Sequence, residues 1–179
     1  MKNQEKMIGL TGTNGAGKGE AARFFVDSGF TFFSLSDIIR RELVKRGLEE
    51  NRDNLIRMGN ELRESFGADV LARRVMTLIS GPSVIDSIRN PEEIAALREF
   101  PGFVLLAIDA PVVVRFERTR KRGRNESSRT LEEFSAKEAE ERSERKTGQQ
   151  LHACMKLADH VIQNDGTIEE LRTQLEKFL

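Results

Sequence analysis

Met7-Ile8-Gly9-Leu10-Thr11 runs into Gly12-Thr13-Asn14-Gly15-Ala16-Gly17-Lys18-Gly19, and an amphipathic stretch through Ala21, Ala22, Phe24, Phe25 and Val26 follows. The opening apolar run has the length of a buried strand. The spacing after it is G-x-x-x-x-G-K, in the strand-before, helix-after context that marks a phosphate-cradling loop. Phosphate oxygens need several backbone N–H groups aimed at one point, and glycine best tolerates the positive φ this demands. The helix starting near Lys18 adds its dipole and its unpaired N–H groups, and Lys18 supplies a mobile cation for the β- and γ-phosphates. A glycine-rich hairpin with an exposed lysine would share the composition but not the context. The residues Gly12, Thr13, Asn14, Gly15, Ala16, Gly17, Lys18, Gly19 and Glu20 are therefore the candidate binding loop for a nucleoside triphosphate, expected to be ATP with Mg²⁺.

The loop departs from its pattern just after the lysine. The Ser or Thr that ordinarily ligates Mg²⁺ is Gly19, followed by Glu20. An acid near polyphosphate is repelled by ~4 kcal/mol for unit charges 4 Å apart at an effective dielectric of 20. Glu20 either points away along the helix, where a first-turn acid is welcome, or helps hold Mg²⁺ through water.

Composition narrows the classes. With 179 residues the chain is expected to be one domain with a proper core. Lys plus Arg and Asp plus Glu are both 29, which argues against a general nucleic-acid binder or a membrane-surface protein. No apolar run approaches the ~20 residues of a membrane span. The polar Met1–Lys6 stretch leads straight into the first strand, leaving no room for a signal peptide, so the expected location is the cytosol. The single cysteine, Cys154, reads as a small core residue.

Along the chain, short apolar runs at Phe30–Ser34, Ser83–Asp86, Phe103–Ile108 and Val161–Ile162 alternate with helical periodicity. Helices are expected from a cap at Ser36 or Asp37 to Gly47, from Asn51 or Asp53 to Phe66, and from Val70 to Gly81-Pro82. Further ones should run from Pro91 to Glu99, from Pro111 past Arg118, from Leu131 to Lys146 and from Ile168 to Phe178. Such alternation means a parallel sheet with helices on both faces. Ligands then gather at the carboxyl ends of the strands, which would place the glycine loop, Asp37, Asp86 to Arg89 and Asp109 on one rim.

The order glycine-rich loop, Ser36-Asp37-Ile38-Ile39-Arg40, Asp86-Ser87-Ile88-Arg89 and an arginine-rich helix resembles the nucleoside monophosphate kinase superfamily. Its closest flavour is the group related to adenylate kinase and dephospho-coenzyme A kinase, including archaeal-type members; the resemblance covers about Met7 to Leu179. It implies a three-layer α/β/α P-loop fold with a five-stranded parallel sheet, a helical substrate-binding insertion at 36–81 and a small arginine-rich lid at 118–146. It implies Asp86 as the Mg²⁺ ligand, since hard Mg²⁺ is bound by one or two carboxylates plus phosphates. Arg40 and Arg89 would grip an acceptor phosphate by bidentate bonds. The Gly and Pro of the family's D-G-x-P-R pattern are lost here, which puts the backbone shape at Asp86–Arg89 in question.

Asp37 either complements the helix dipole or resembles the acid that orients an acceptor hydroxyl. Residues 118–124 hold five cations, with Arg118 and Arg122 on one helical face. They match the R-x-x-x-R leading into the family's lid, where cations close over the transferring phosphoryl group; the alternative is a surface helix paired with Glu132 to Glu144. Arg142 and Arg145 are further lid candidates. Asn164-Asp165-Gly166-Thr167 sits where relatives place a loop against the donor purine, or is a turn with a helix cap.

The leading expectation is a kinase acting on a small nucleotide-like acceptor, either a (deoxy)nucleoside monophosphate or dephospho-coenzyme A. In it Lys18, Asp37, Arg89, Arg118 and Arg122 are catalytic, and Asp37, Arg40 and Arg89 bind the acceptor. The other is a nucleotide-binding regulator or assembly factor without turnover, for which Glu20 and the altered Asp86–Arg89 motif speak. A transporter ATPase would need an L-S-G-G-Q signature that the sequence lacks.

Overall fold

The computed structural model describes residues 6–122, 130–140 and 148–179. In chain order it forms β1 (Met7–Gly12), α1 (Lys18–Asp27), β2 (Thr31–Ser34), α2 (Leu35–Lys45), α3 (Arg52–Phe66), α4 (Val70–Met76) and β3 (Ser83–Asp86). These lead into α5 (Pro91–Leu97), β4 (Phe103–Asp109), α6 (Val112–Lys121), α7 (Leu131–Glu140), α8 (Leu151–Lys156), β5 (His160–Gln163) and α9 (Ile168–Leu175), closed by a 3₁₀ turn at Glu176–Phe178.

The strands make one five-stranded sheet in the order β2-β3-β1-β4-β5, with every neighbouring pair parallel. All carboxyl ends therefore lie along one edge. β1 is central and buried at each position, as a strand covered on both faces must be.

The two-residue period of the strands sends alternate side chains to opposite faces. Met7, Ile85 and Leu105 face one apolar core with residues of α2, α3, α4, α5 and α8, including Leu35, Leu62, Leu71 and Cys154. Ile8, Leu10, Val84, Leu106, Ile108 and Ile162 face the other, against Phe24 and Phe25 of α1 and Leu171 and Leu175 of α9. The expected three-layer arrangement results, with α2, α3 and α4 inserted between β2 and β3.

Several boundaries differ from those expected. Helix α2 starts at Leu35 with Ser34 as its N-cap, so neither Ser36 nor Asp37 caps it; both lie inside its first turn. Asn51 does cap α3, its side chain accepting from the Asn54 N–H at 2.9 Å. Helix α4 stops at Met76, well short of Gly81. Helix α8, only six residues long, has no counterpart in the sequence periodicity. Of the expected helix from Leu131 to Lys146, the described part ends at Glu140; Gly123 to Arg129, Arg142 and Arg145 lie outside the described residues.

Candidate active site

The loop between β1 and α1 wraps around its own lysine. Lys18 Nζ donates to the carbonyl oxygens of Gly12 and Thr13, both at 2.8 Å. Two glycines are required for close approach. A Cβ on Gly12, at φ 138°, would lie 2.0 Å from the Ile108 carbonyl oxygen, and one on Gly17, at φ 104°, would lie 2.1 Å from Asn164 Nδ2. The floor comes from the neighbouring strands. Thr13 Oγ1 donates to Asp109 Oδ1 at 2.8 Å, and buried Asn164 donates Nδ2 to the Ala16 carbonyl at 2.7 Å. The Asn164 side chain is thus turned into the loop backbone. Glu20 is part-buried in the first turn of α1. Asn14 and Gly19 are exposed, whereas Gly15 and Ala16 are buried.

Four cations converge on this loop. Desolvation pushes the Lys18 ammonium from 10.5 down to about 8; Asp86 opposes that shift, and the charges of Arg89, Arg115 and Arg122 reinforce it. Arg89 is likewise lowered, first by burial, with Asp86 again opposing. Asp86 therefore acts on both Lys18 and Arg89. It is incompletely satisfied: Asp86 Oδ1 is buried with no hydrogen-bond partner among the described residues. A buried oxygen of that kind should be hydrogen-bonded or bound to something else, and a single hard carboxylate beside a phosphate loop fits Mg²⁺.

The backbone at Asp86–Arg89 passes through a left-handed residue directly after the aspartate. Ser87 has φ 68°, the one positive φ at a non-glycine position among the described residues. It holds the left-handed shape that the pattern's glycine would hold freely. Its hydroxyl joins those of Ser34 and Ser36, with Oγ separations of 3.1 and 3.2 Å, and Ser34 and Ser36 are 2.8 Å apart.

The two arginines expected to share an acceptor phosphate sit in unlike surroundings. Arg40 donates to Asp37 Oδ1 and Glu50 Oε1, each at 2.7 Å, and to Ser36 Oγ at 3.1 Å. Burial lowers Arg40, but the bonds to Glu50 and Asp37 outweigh it and leave the group above the ordinary arginine value. Arg89 instead gives its side chain to a neutral amide, Gln149 Oε1, at 2.9 Å.

On α6, Arg118 donates to the Asn164 carbonyl oxygen at 2.8 Å, and Arg122 is exposed at the helix end. Arg115 was not among the expected site residues. It is buried, donates to the Ala110 and Asn14 carbonyls at 2.8 and 3.2 Å, and pairs with Glu138 of α7. Its position three and seven residues before Arg118 and Arg122 puts all three on one helical face, which is the signal that could have found it. The ion pair between this helix and the next among the described residues is made by Arg115, outside the 118–124 cluster, with the Phe116 and Phe134 rings 5.8 Å apart beside it.

A parallel five-stranded sheet with this loop at its carboxyl edge defines a P-loop kinase-like fold. A family model described as an AAA domain matches residues 11–135. The chain is 34% identical to a UPF0200 protein of Thermococcus gammatolerans, covering 95% of this chain and 94% of the relative. It is 36% identical to one of Pyrococcus horikoshii, with 97% and 95% covered. It belongs to the UPF0200 family. Among solved structures it is similar to a shikimate kinase from Bacteroides thetaiotaomicron, with a TM-score of 0.64 over 96% of this chain and 97% of that one, at 16% identity. That likeness is one of fold. No helix among the described residues is long and apolar enough to cross a membrane.

Proposed function

We propose that this protein is an ATP- and Mg²⁺-dependent small-molecule kinase that moves the γ-phosphoryl group to a nucleotide-like acceptor. The observation that carries the reading is the cluster of cations at the loop, Lys18 with Arg89, Arg115 and Arg122 within electrostatic reach of it, beside Asp86, whose buried Oδ1 has no hydrogen-bond partner among the described residues. Like charges repel, so such a cluster is costly until a polyanion arrives. Phosphoryl transfer is mostly positioning and neutralisation of the charge on the phosphoryl oxygens, which is what convergent cations supply.

In this reading the loop N–H groups and Lys18 hold the β- and γ-phosphates, and Asp86 holds Mg²⁺. Mg²⁺ held there would supply neutralisation of the charge that develops on the leaving group. Arg118 and Arg122 extend from α6 to the donor side, with Asn164 shaping the loop from β5. The acceptor oxygen attacks the γ-phosphorus as the bond to the departing ADP oxygen breaks.

The pairing of Arg40 with Asp37 and Glu50 favours a hydroxyl acceptor over a monophosphate. A phosphate dianion brought to Arg40 would meet two carboxylates, whereas a hydroxyl could hand its proton to Asp37 as it attacks. Dephospho-coenzyme A is the acceptor of that type, and nucleoside monophosphates are the competing class.

The test is ADP release from ATP and Mg²⁺ with dephospho-coenzyme A and with each ribo- and deoxyribonucleoside monophosphate. A no-acceptor blank and Lys18→Ala serve as controls. ADP rising far above the blank with one acceptor, and lost in Lys18→Ala, is the expected result. Tight nucleotide binding with no stimulation by any of them would favour the regulator reading instead.

A further inference from the structure

The most deeply buried ion pair among the described residues is not at the phosphate loop. Arg63 of α3 and Glu93 of α5 are 3% and 0% exposed, with Nη2 to Oε1 at 2.7 Å and Nε to the same oxygen at 3.1 Å. The space is prepared for it: a Cβ on Gly59, one turn earlier in α3, would lie 3.3 Å from Arg63 Nη1. A buried pair is weak evidence for stability, because desolvating two charges offsets most of their attraction. Apolar side chains of similar size would serve packing as well, so its geometry points elsewhere.

The second oxygen of Glu93 shows where. Oε2 accepts from the backbone N–H groups of Arg89 and Asn90, at 2.9 and 3.0 Å. The Arg89 carbonyl accepts from the Gln150 N–H at 2.7 Å, and Asn90 Nδ2 donates to the Gly148 carbonyl at 2.9 Å. The backbone of Arg89 is thus held at both its N–H and its C=O, while its guanidinium has the neutral Gln149 as side-chain partner. A rigid backbone bearing a cation held by an amide oxygen is suited to meet an anion, since charge-assisted bonds are about twice as strong as neutral ones.

We propose that Arg63 and Glu93 are positioning residues of the acceptor site: neither touches substrate, and together they fix the Arg89 turn so that its guanidinium meets an anionic group of the acceptor. The inference rests on the kinase reading and adds to it two residues, from α3 and α5. Arg63 orients Glu93, and Glu93 orients the turn.

The experiment separates placement from stability. The full chain, saturated with Mg²⁺ and a non-hydrolysable ATP analogue to fill the phosphate loop, is titrated with inorganic phosphate. Phosphate affinity is measured by calorimetry, and in chains that keep Arg89 its Nε–H resonance, assigned with Arg89→Lys, is followed in the same titration. Arg63→Met alone strands a buried carboxylate and risks misfolding, so the decisive variant is the double Arg63→Met/Glu93→Leu, which removes both charges. The expected result is that wild-type protein binds phosphate through Arg89. In the folded double variant that affinity should drop at least tenfold and the resonance shift, with analogue affinity within twofold of wild type. A double variant with wild-type phosphate affinity would overturn the proposal, as would phosphate binding indifferent to Arg89→Ala; analogue binding in the same samples leaves the nucleotide reading standing. Failure of the analogue to bind wild-type protein would instead sink the kinase reading, and the proposal with it.

Discussion

Lys18 and Arg63 are both drawn out of bulk water, on opposite terms. Arg63 is fully enclosed and meets a carboxylate whose remaining lone pairs are also used. Lys18 bonds the carbonyl oxygens of Gly12 and Thr13 and has three arginines within electrostatic reach. The first charge is complete within the chain; the second is not. A satisfied buried charge holds shape, whereas an unsatisfied one marks where a ligand of opposite sign completes the structure.

The contrast makes opposite predictions for deletion. Arg63→Met should lower unfolding free energy by about 3–5 kcal/mol, because it leaves Glu93 buried and unpaired; urea denaturation would measure it. Lys18→Met should instead raise the stability of the nucleotide-free protein at pH 7, by at most about 3.5 kcal/mol for a fall from 10.5 to about 8 at about 1.4 kcal/mol per pKa unit. It should also abolish the stabilisation that ATP and Mg²⁺ confer on the wild type. Equal destabilisation by the two substitutions would break the comparison.

The pH dependence follows with a definite sign. Because folding depresses Lys18 from 10.5 to about 8, the stability contributed by this group is greatest above about pH 10.5. It declines as the pH falls through that window and is flat below about 8. A triphosphate favours the cation, so its binding takes up a proton above pH 8. ATP-analogue affinity should then fall by up to tenfold per pH unit from about pH 8 upward, and calorimetry in buffers of different ionisation heat would register the proton. In Lys18→Met this slope should vanish.

A smaller effect is expected from Glu138→Gln. It loosens α7 from Arg115, which touches the Asn14 carbonyl, and should cost about 1–3 kcal/mol of stability, as when a charge loses its partner in a part-buried site. The smallest belongs to Glu50→Gln. The Arg40–Glu50 pair is largely exposed, so unfolding free energy should change by less than about 1 kcal/mol.

The same contrast divides what the sequence disclosed from what it withheld. The loop from Gly12 to Lys18 announces itself because its chemistry is local and its spacing fixed. The parallel sheet was legible from the alternation of short apolar runs with helical periods. Arg63 and Glu93 are 30 residues apart, and each on its own reads as an ordinary helical charge; only folding brings them together. Helix α8 is too short to display a period. The start of α2 was misplaced by two or three residues because two serines and an aspartate cluster at Ser34–Asp37, and any of them makes a plausible cap. Ser87 was hidden for a different reason: a left-handed serine is strained, and no residue pattern foretells strain.

The double use of Glu93 bears on how the molecule breathes. The amides of Arg89 and Asn90 belong to a connecting loop, a part of the fold that ordinarily opens early and exchanges its hydrogens quickly. Here they point at a carboxylate with no exposure to water, itself held by Arg63 of α3, so their exchange should require the start of α5 to open against that pairing. Their protection should match that of the central strand amides. The turn that carries Arg89 would then be among the last pieces of the protein to open, a loop by its shape and a piece of the core by its kinetics.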